Sequence, residues 1–329
     1  MNRSLLIGAL AALTLVLLLV SLLTGPASMG PAESIRALVA GGDEAAMLIM
    51  REIRLPRALL AALVGFSLGV SGAALQGFLR NPLAEPGIIG VSASAALGAV
   101  LMFYTGVAGA SLLVLPAGAL AGAAVCVFAL IAIASARAST ITLILAGVAL
   151  SSLAAALTSL VLNLSPNPFA AYEIIFWLLG SLKDRTMDHV WLALPLMALG
   201  WAGLWASAGT LDALSLGEEG AAGLGVSLAR ARLLIIGGVA LSVGAATAVT
   251  GAIGFIGLIV PHLIRPLTDR LPGNLLLPSG LGGAALLIAS DIVARSAIVE
   301  RELNVGVVTA LIGAPFFLWL VMRSRREVF

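Results

Sequence analysis

The chain has 329 residues, 60% of them hydrophobic and only 10% charged, with a mean hydropathy of +1.12. Soluble domains carry roughly 25% charged residues, so this composition belongs in a bilayer. A dispersed net charge of +2 excludes nucleic-acid binding, the single cysteine, Cys126, excludes an intrachain disulfide, and no Cys/His cluster suggests a metal site.

A bilayer core of about 30 Å takes roughly 20 helical residues to cross. A charge at its centre costs several kcal/mol, so charges mark where spans end. Residues 4–32 are uncharged and predict a retained first helix over Leu5–Leu23, since no clean cleavage site follows directly. Residues 58–79 predict one span, and residues 86–136 predict two with a break near Gly106–Gly109. Residues 138–172 predict one helix plus the breaker NLSPNP, Asn163–Pro168, and the run after Asp188 to Leu211 predicts another. Residues 233–264 are too long for one helix and are interrupted by TGAIG, Thr250–Gly254, which predicts a long helix and then a short one. Residues 271–290 and 303–322 predict one span each.

The sum is an all-α membrane protein of ten transmembrane helices, with both termini on one side. Placing the termini inside puts Arg3, Arg80, Arg137, Arg230, Arg232, Arg265, Arg270, Arg323, Arg325 and Arg326 on the cytoplasmic face. Arg36, Arg51, Arg54, Arg57, Lys183, Arg185, Arg295 and Arg301 then lie outside, a weak positive-inside bias whose outer arginines need a reason. A single membrane domain spans residues 1–329, with one long polar interruption at about 211–229.

Four stretches stand out from the hydrophobic background. RLPRALLAALVGFSLGVSGAALQGFLRNPLAEPG, Arg54–Gly87, ends in a turn where two prolines stop helix propagation. LDALSLGEEGAAGLGVSLARAR, Leu211–Arg232, has the pattern of two short helices broken at Gly217 and Gly225. GAIGFIGLIVPHLIRP, Gly251–Pro266, and DIVARSAIVERELNVGVVTALIGAPFFLWL, Asp291–Leu320, complete the set. Asp291 stands four residues before Arg295, an ordinary helical pairing distance.

Together these stretches, in this order and over nearly the whole chain, resemble the FecCD-type permeases. These are the membrane subunits of ABC importers for iron–siderophore, haem and vitamin B12. The resemblance implies a homodimer around a central path in the bacterial inner membrane, multi-pass and without a cofactor. It also implies two cytoplasmic ATP-binding subunits, an extracytoplasmic substrate-binding protein and a metal-chelate substrate.

By the same resemblance, Leu216, Gly217, Glu218, Glu219, Leu224 and Gly225 contact the ATPase. Arg54, Arg57 and Arg295 pair with carboxylates of the binding protein, a task that suits the bidentate guanidinium. Asn81, Leu83, Thr140 and Ile141 form an inner gate; Phe176 and Trp177 belong to an outer gate, the latter in a short helix over FWLLGSL, Phe176–Leu182. The chain departs from the family pattern at Ser94, where glycine is usual, and at Asn304, where proline is usual. The loop after Asp269 lacks a histidine often found there.

Two other classes are open to the residues alone. GVSG, Gly69–Gly72, spells an intramembrane serine-protease motif, with His262 as an imaginable base. An ion-coupled secondary transporter would need ionisable groups near the midplane, which these spans lack. No Walker-type phosphate loop occurs and Lys183 is the only lysine, so hydrolysis of ATP belongs to another chain.

Overall fold

The hydrophobic stretches fold into helices whose ends are set by caps, prolines and glycines, as a computed structural model shows. It describes residues 2–25, 27, 29–41, 43–133, 140–165, 168–297 and 302–325. Pro166 and Asn167 of the expected breaker, and Arg137, Arg301 and Arg326 of the charge pattern, lie outside the described residues, as does the side chain of Thr140.

In chain order the α-helices are α1 (Arg3–Leu23), α2 (Pro31–Val39), α3 (Glu44–Leu48), α4 (Leu55–Phe78), α5 (Val91–Tyr104), α6 (Val114–Ile133) and α7 (Thr140–Asn163). They continue as α8 (Pro168–Leu178), α9 (Met187–Ala206), α10 (Ala208–Leu214), α11 (Glu218–Gly223), α12 (Leu228–Thr250), α13 (Ile256–Ile264), α14 (Pro272–Ser296) and α15 (Val305–Arg325). Side chains cap several starts: Asn2 accepts from the Ser4 N–H, Asp43 from Ala46 and Ser227 from Arg230.

Among the described residues, eight helices are long and apolar enough to cross a membrane. The two other expected spans, the third and the eighth, are the short helices α5 and α13, of 14 and 9 residues. At 1.5 Å per residue they reach about 21 and about 14 Å, less than a bilayer core.

The second span is longer than charge placement predicts. Helix runs continuously from Glu44 to Phe78, passing through a π-helical turn at Ile49–Arg54, although Arg51, Glu52, Arg54 and Arg57 lie on it. A charge ends a span only when it must reach water, and Arg54 and Arg57 are bonded inside the chain. The short helix expected over 176–182 instead occupies Pro168–Leu178. Proline at its first turn favours the earlier start, and Gly180, at φ +71, closes the turn that follows.

Helices α4, α12 and α14 form the core, and α4 packs most extensively along α14. Small residues allow the approach: a Cβ on Gly69 would lie 2.0 Å from the Ser279 carbonyl oxygen, and one on Gly65 2.3 Å from that of Gly283. Backbone contact of this kind is how bundles pack where apolar burial alone gives no drive. Helices α1, α7 and α15 stand at the periphery with apolar side chains turned outward.

Candidate gate and coupling sites

Helix α4 separates two polar regions, one at each of its ends. At its C-terminal end the chain leaves the helix through Arg80, in the left-handed region at φ +48. Asn81 then turns the backbone, its Oδ1 accepting the Leu83 N–H at 2.9 Å, and Pro86 opens a single 3-10 turn, Pro86–Ile89.

This turn is tied to the break before α13. Glu85 accepts the N–H of Phe255, which itself sits at φ +69. Burial pushes the Glu85 carboxyl above its ordinary range, while the Phe255 N–H draws it back. Gln76, buried in the last turns of α4, donates to the carbonyls of Gly257 and Leu258 at 3.3 Å. Its Oε1 accepts from Arg265 at 2.8 Å.

Beside this turn stand the short helices α10 and α11. Gly217, at φ +95, breaks one from the other, and Gly225, at φ +83, follows the second, so both breaks use conformations that favour glycine. Leu211, Leu214 and Ala221 are buried, whereas Leu216 and Leu224 are 70% and 65% exposed. Glu219 is exposed, and Glu218 pairs with Arg232 at 3.4 Å. Asp212 Oδ1 accepts the Gly273 N–H at 2.7 Å, which fastens α10 to the first turn of α14. The Arg80 guanidinium lies 3.5 Å from where a Cβ on Gly217 would stand. The helix pair and the Arg80–Gly87 turn are therefore neighbours.

At the opposite end, three arginines form a closed lattice. Arg57 holds Asp291 at 2.9 Å and Glu302 at 3.0 Å, and Arg295 holds Asp291 at 3.1 Å across one helical turn. Arg295 also donates to the Thr24 carbonyl at 2.8 Å and to Ser21 Oγ at 2.7 Å. Arg54 donates to the carbonyls of Leu22 and Ala27 at 3.0 and 2.7 Å. Arg54 is 3% exposed and Arg57 8%. The resemblance has these arginines offering charge to a partner, yet each already has acceptors within the chain. A partner's carboxylate would share them with those acceptors. All three line a cavity of about 520 Å³ together with Lys183 and Arg185.

The family model described as the FecCD transport family matches residues 13–323. The chain belongs to this family. The cobalamin import system permease protein BtuC of Halobacterium salinarum is 44% identical, covering 85% of this chain and 75% of the relative. The vitamin B12 import system permease protein BtuC of Klebsiella pneumoniae is 38% identical, covering 96% and 93%. A solved structure described as an inward-facing conformation of a metal-chelate type ABC transporter superposes with a TM-score of 0.86. It is 33% identical and covers 96% of this chain and 98% of that one.

Within this FecCD chain the remaining candidate residues are dispersed. Ile141 is 68% exposed on α7, and Leu83 is half-buried in the turn. Phe176, 46% exposed, stacks on Tyr172 at 4.6 Å, while Trp177, 9% exposed, turns inward to a different cavity. Adjacent helical residues diverge by about 100°, so these two aromatics do not share one face. Asn304, at the proline position of the family pattern, donates to the Phe176 carbonyl at 3.3 Å. Ser71 bonds to Ser242 at 2.9 Å and His262 stacks edge-on against Phe316, so the protease-like pair is not assembled.

Gln76, Glu85, Asp212 and Arg265 enter these sites without having been expected there from the sequence. Gln76 carried a usable signal, being a lone amide within the uncharged run 58–79. A buried amide in such a helix needs partners and marks a contact.

Proposed function

We propose that the chain is the permease subunit of a binding-protein-dependent ABC importer that moves a metal chelate of the corrinoid class into the bacterial cytoplasm. The identity of 38–44% to permeases named for cobalamin and vitamin B12 supports that substrate class over a siderophore or haem. In this reading all ten helices complete the membrane domain, α5 and α13 as part-spans, and both termini face the cytoplasm.

The observation that carries the mechanism is the contact between α10–α11 and the Arg80–Gly87 turn. Two ATPase subunits seat on the exposed Leu216, Leu224 and Glu219, around the glycine breaks at Gly217 and Gly225. Nucleotide-driven displacement of the helix pair then passes through the Asp212–Gly273 bond to α14 and through Arg80 to the turn. Gln76 and Glu85 make α13 move with that turn. Asn81, Leu83, Thr140 and Ile141 of two copies form the inner constriction, and the outward apolar faces of α7 and α15 supply the contact between copies.

The substrate-binding protein docks at the opposite end, over the arginine-lined cavity, with Phe176 at the outer mouth. The path holds its cargo weakly, because a tight site would not release it. The test is uptake into vesicles carrying the complete importer. Cyanocobalamin should be accumulated on ATP addition in preference to a ferric siderophore or haem. Accumulation of either rival in place of cyanocobalamin would overturn the substrate assignment.

A further inference from the structure

We propose that the face formed by α6, α9 and α12 holds one phospholipid, its phosphate on Arg185 and one acyl chain in the apolar groove below. Arg185 stands in the loop before α9 and, among the described residues, has no hydrogen-bond or ion-pair partner; its Nε is wholly buried. A half-buried guanidinium whose Nε has lost water and gained no acceptor is a site for an anion. Burial lowers its pKa and the nearby Asp184 charge raises it.

Arg185 lines a cavity of about 330 Å³ at the end of the bundle, with Asp184, His189, Ser111 and Trp177 also in its wall. His189 Nδ1 accepts the Thr186 N–H at 3.2 Å, which leaves the proton, and the donor role, on Nε2. Ser111 adds a hydroxyl, so the wall offers several donors to phosphate oxygens. Asp184 is the one acid there, and it is exposed.

A second cavity of about 480 Å³ lies on the same three helices and is lined entirely by apolar residues and glycine. Its wall includes Ala124 and Phe128 of α6, Leu196 of α9, and Gly237 and Leu241 of α12. The first cavity touches these helices at Pro116, His189 and Ala248. Counting residues along each helix at 1.5 Å, the groove extends from about 6 to about 18 Å below the polar cavity. One leaflet of the hydrocarbon core is about 15 Å thick, so the groove sits at acyl-chain depth. The surrounding surface suits contact with lipid: Val125, Phe128 and Leu199 are 70%, 74% and 62% exposed, and Trp191, 62% exposed, stands near the level of the polar cavity. A cation alone would accept any phosphate; a cation with an apolar groove at that depth fits a phosphate that carries a chain.

Native mass spectrometry of the complete importer, purified from membranes and then delipidated with mild detergent, tests this with two variants. Arg185→Gln removes the head contact. Gly237→Phe fills the groove, where a Cβ meets nothing within 4 Å. Thermal unfolding and size-exclusion profiles matching wild type establish that each variant is folded, and Ala124→Phe is the alternative groove-filling change.

Wild type should retain one phospholipid per permease chain, and each variant should lower that occupancy about tenfold. Phosphatidylglycerol, but not inorganic phosphate, should raise the thermal midpoint of the delipidated wild type. Undiminished lipid in Arg185→Gln would overturn the proposal. So would sensitivity to Arg185→Gln with none to Gly237→Phe, which would indicate a free anion, or loss of the permease dimer in Gly237→Phe, which would make the groove a contact between copies.

Discussion

The two ends of α4 solve the problem of polar residues beside a bilayer in opposite ways. At the N-terminal end, the Arg54, Arg57 and Arg295 side chains are buried and bonded to Asp291, Glu302, Ser21 and the carbonyls of Leu22, Thr24 and Ala27. At the C-terminal end the polar bonds run from one element to the next: Gln76 to α13 and Arg265, Glu85 to Phe255, and Asp212 to Gly273. Glu218 pairs with Arg232 at 3.4 Å, and Leu216 and Leu224 are left to solvent. The first arrangement resists displacement, because breaking it strands a charge. The second presents exposed apolar side chains, and the bonds behind them lead directly into α14, α4 and α13. One end fastens the bundle, and in the proposed mechanism the other is a handle on it.

Removing the shared acid of the fastening end should have the largest effect. Asp291→Ala leaves Arg57 with Glu302 alone and Arg295 with no carboxylate, and removing one partner of a buried pair costs up to about 3–5 kcal/mol. Thermal unfolding in detergent should show a large drop; a change within the error of wild type would mean the lattice fastens nothing. At the handle end, Glu218→Gln breaks a pair whose acid side chain is 34% exposed, and should cost at most about 1 kcal/mol. Equal losses for the two substitutions would erase the contrast between the ends.

The subtlest case is a pH trend. Glu85 has a folded-state pKa above its ordinary 4.5, so folding favours its protonated form. That contribution is full at low pH and fades as pH rises from about 4.5 through the raised value. Glu85→Gln keeps an acceptor for the Phe255 N–H and does not titrate. It should therefore gain stability relative to wild type as pH increases, and a gap that stays constant with pH would contradict the assigned burial.

The parts legible in the sequence were those written in glycine, proline and uncharged length. TGAIG marked the α12–α13 break because Gly251, at φ +74, stands just past the last turn of α12. Gly217 and Gly225 likewise announced α10 and α11. The start of the second span was illegible, since charge alone cannot say whether an arginine faces water or a carboxylate 234 residues away. The engagement of Arg54, Arg57 and Arg295 was hidden for the same reason: only the Asp291–Arg295 half of the lattice is local. Phe176 and Trp177 looked like one feature because they are adjacent, and helix geometry sends them to different surroundings.

The most direct test of the handle is ATP-driven uptake in proteoliposomes holding the complete importer, with Leu216→Arg and Leu224→Arg combined. Both side chains are solvent-facing, so the bundle should unfold at the wild-type temperature. Uptake should nevertheless be abolished, with ATP hydrolysis no longer stimulated by the loaded binding protein. Wild-type uptake by this variant would contradict the account, because the helix pair could not then be where the ATPase takes hold.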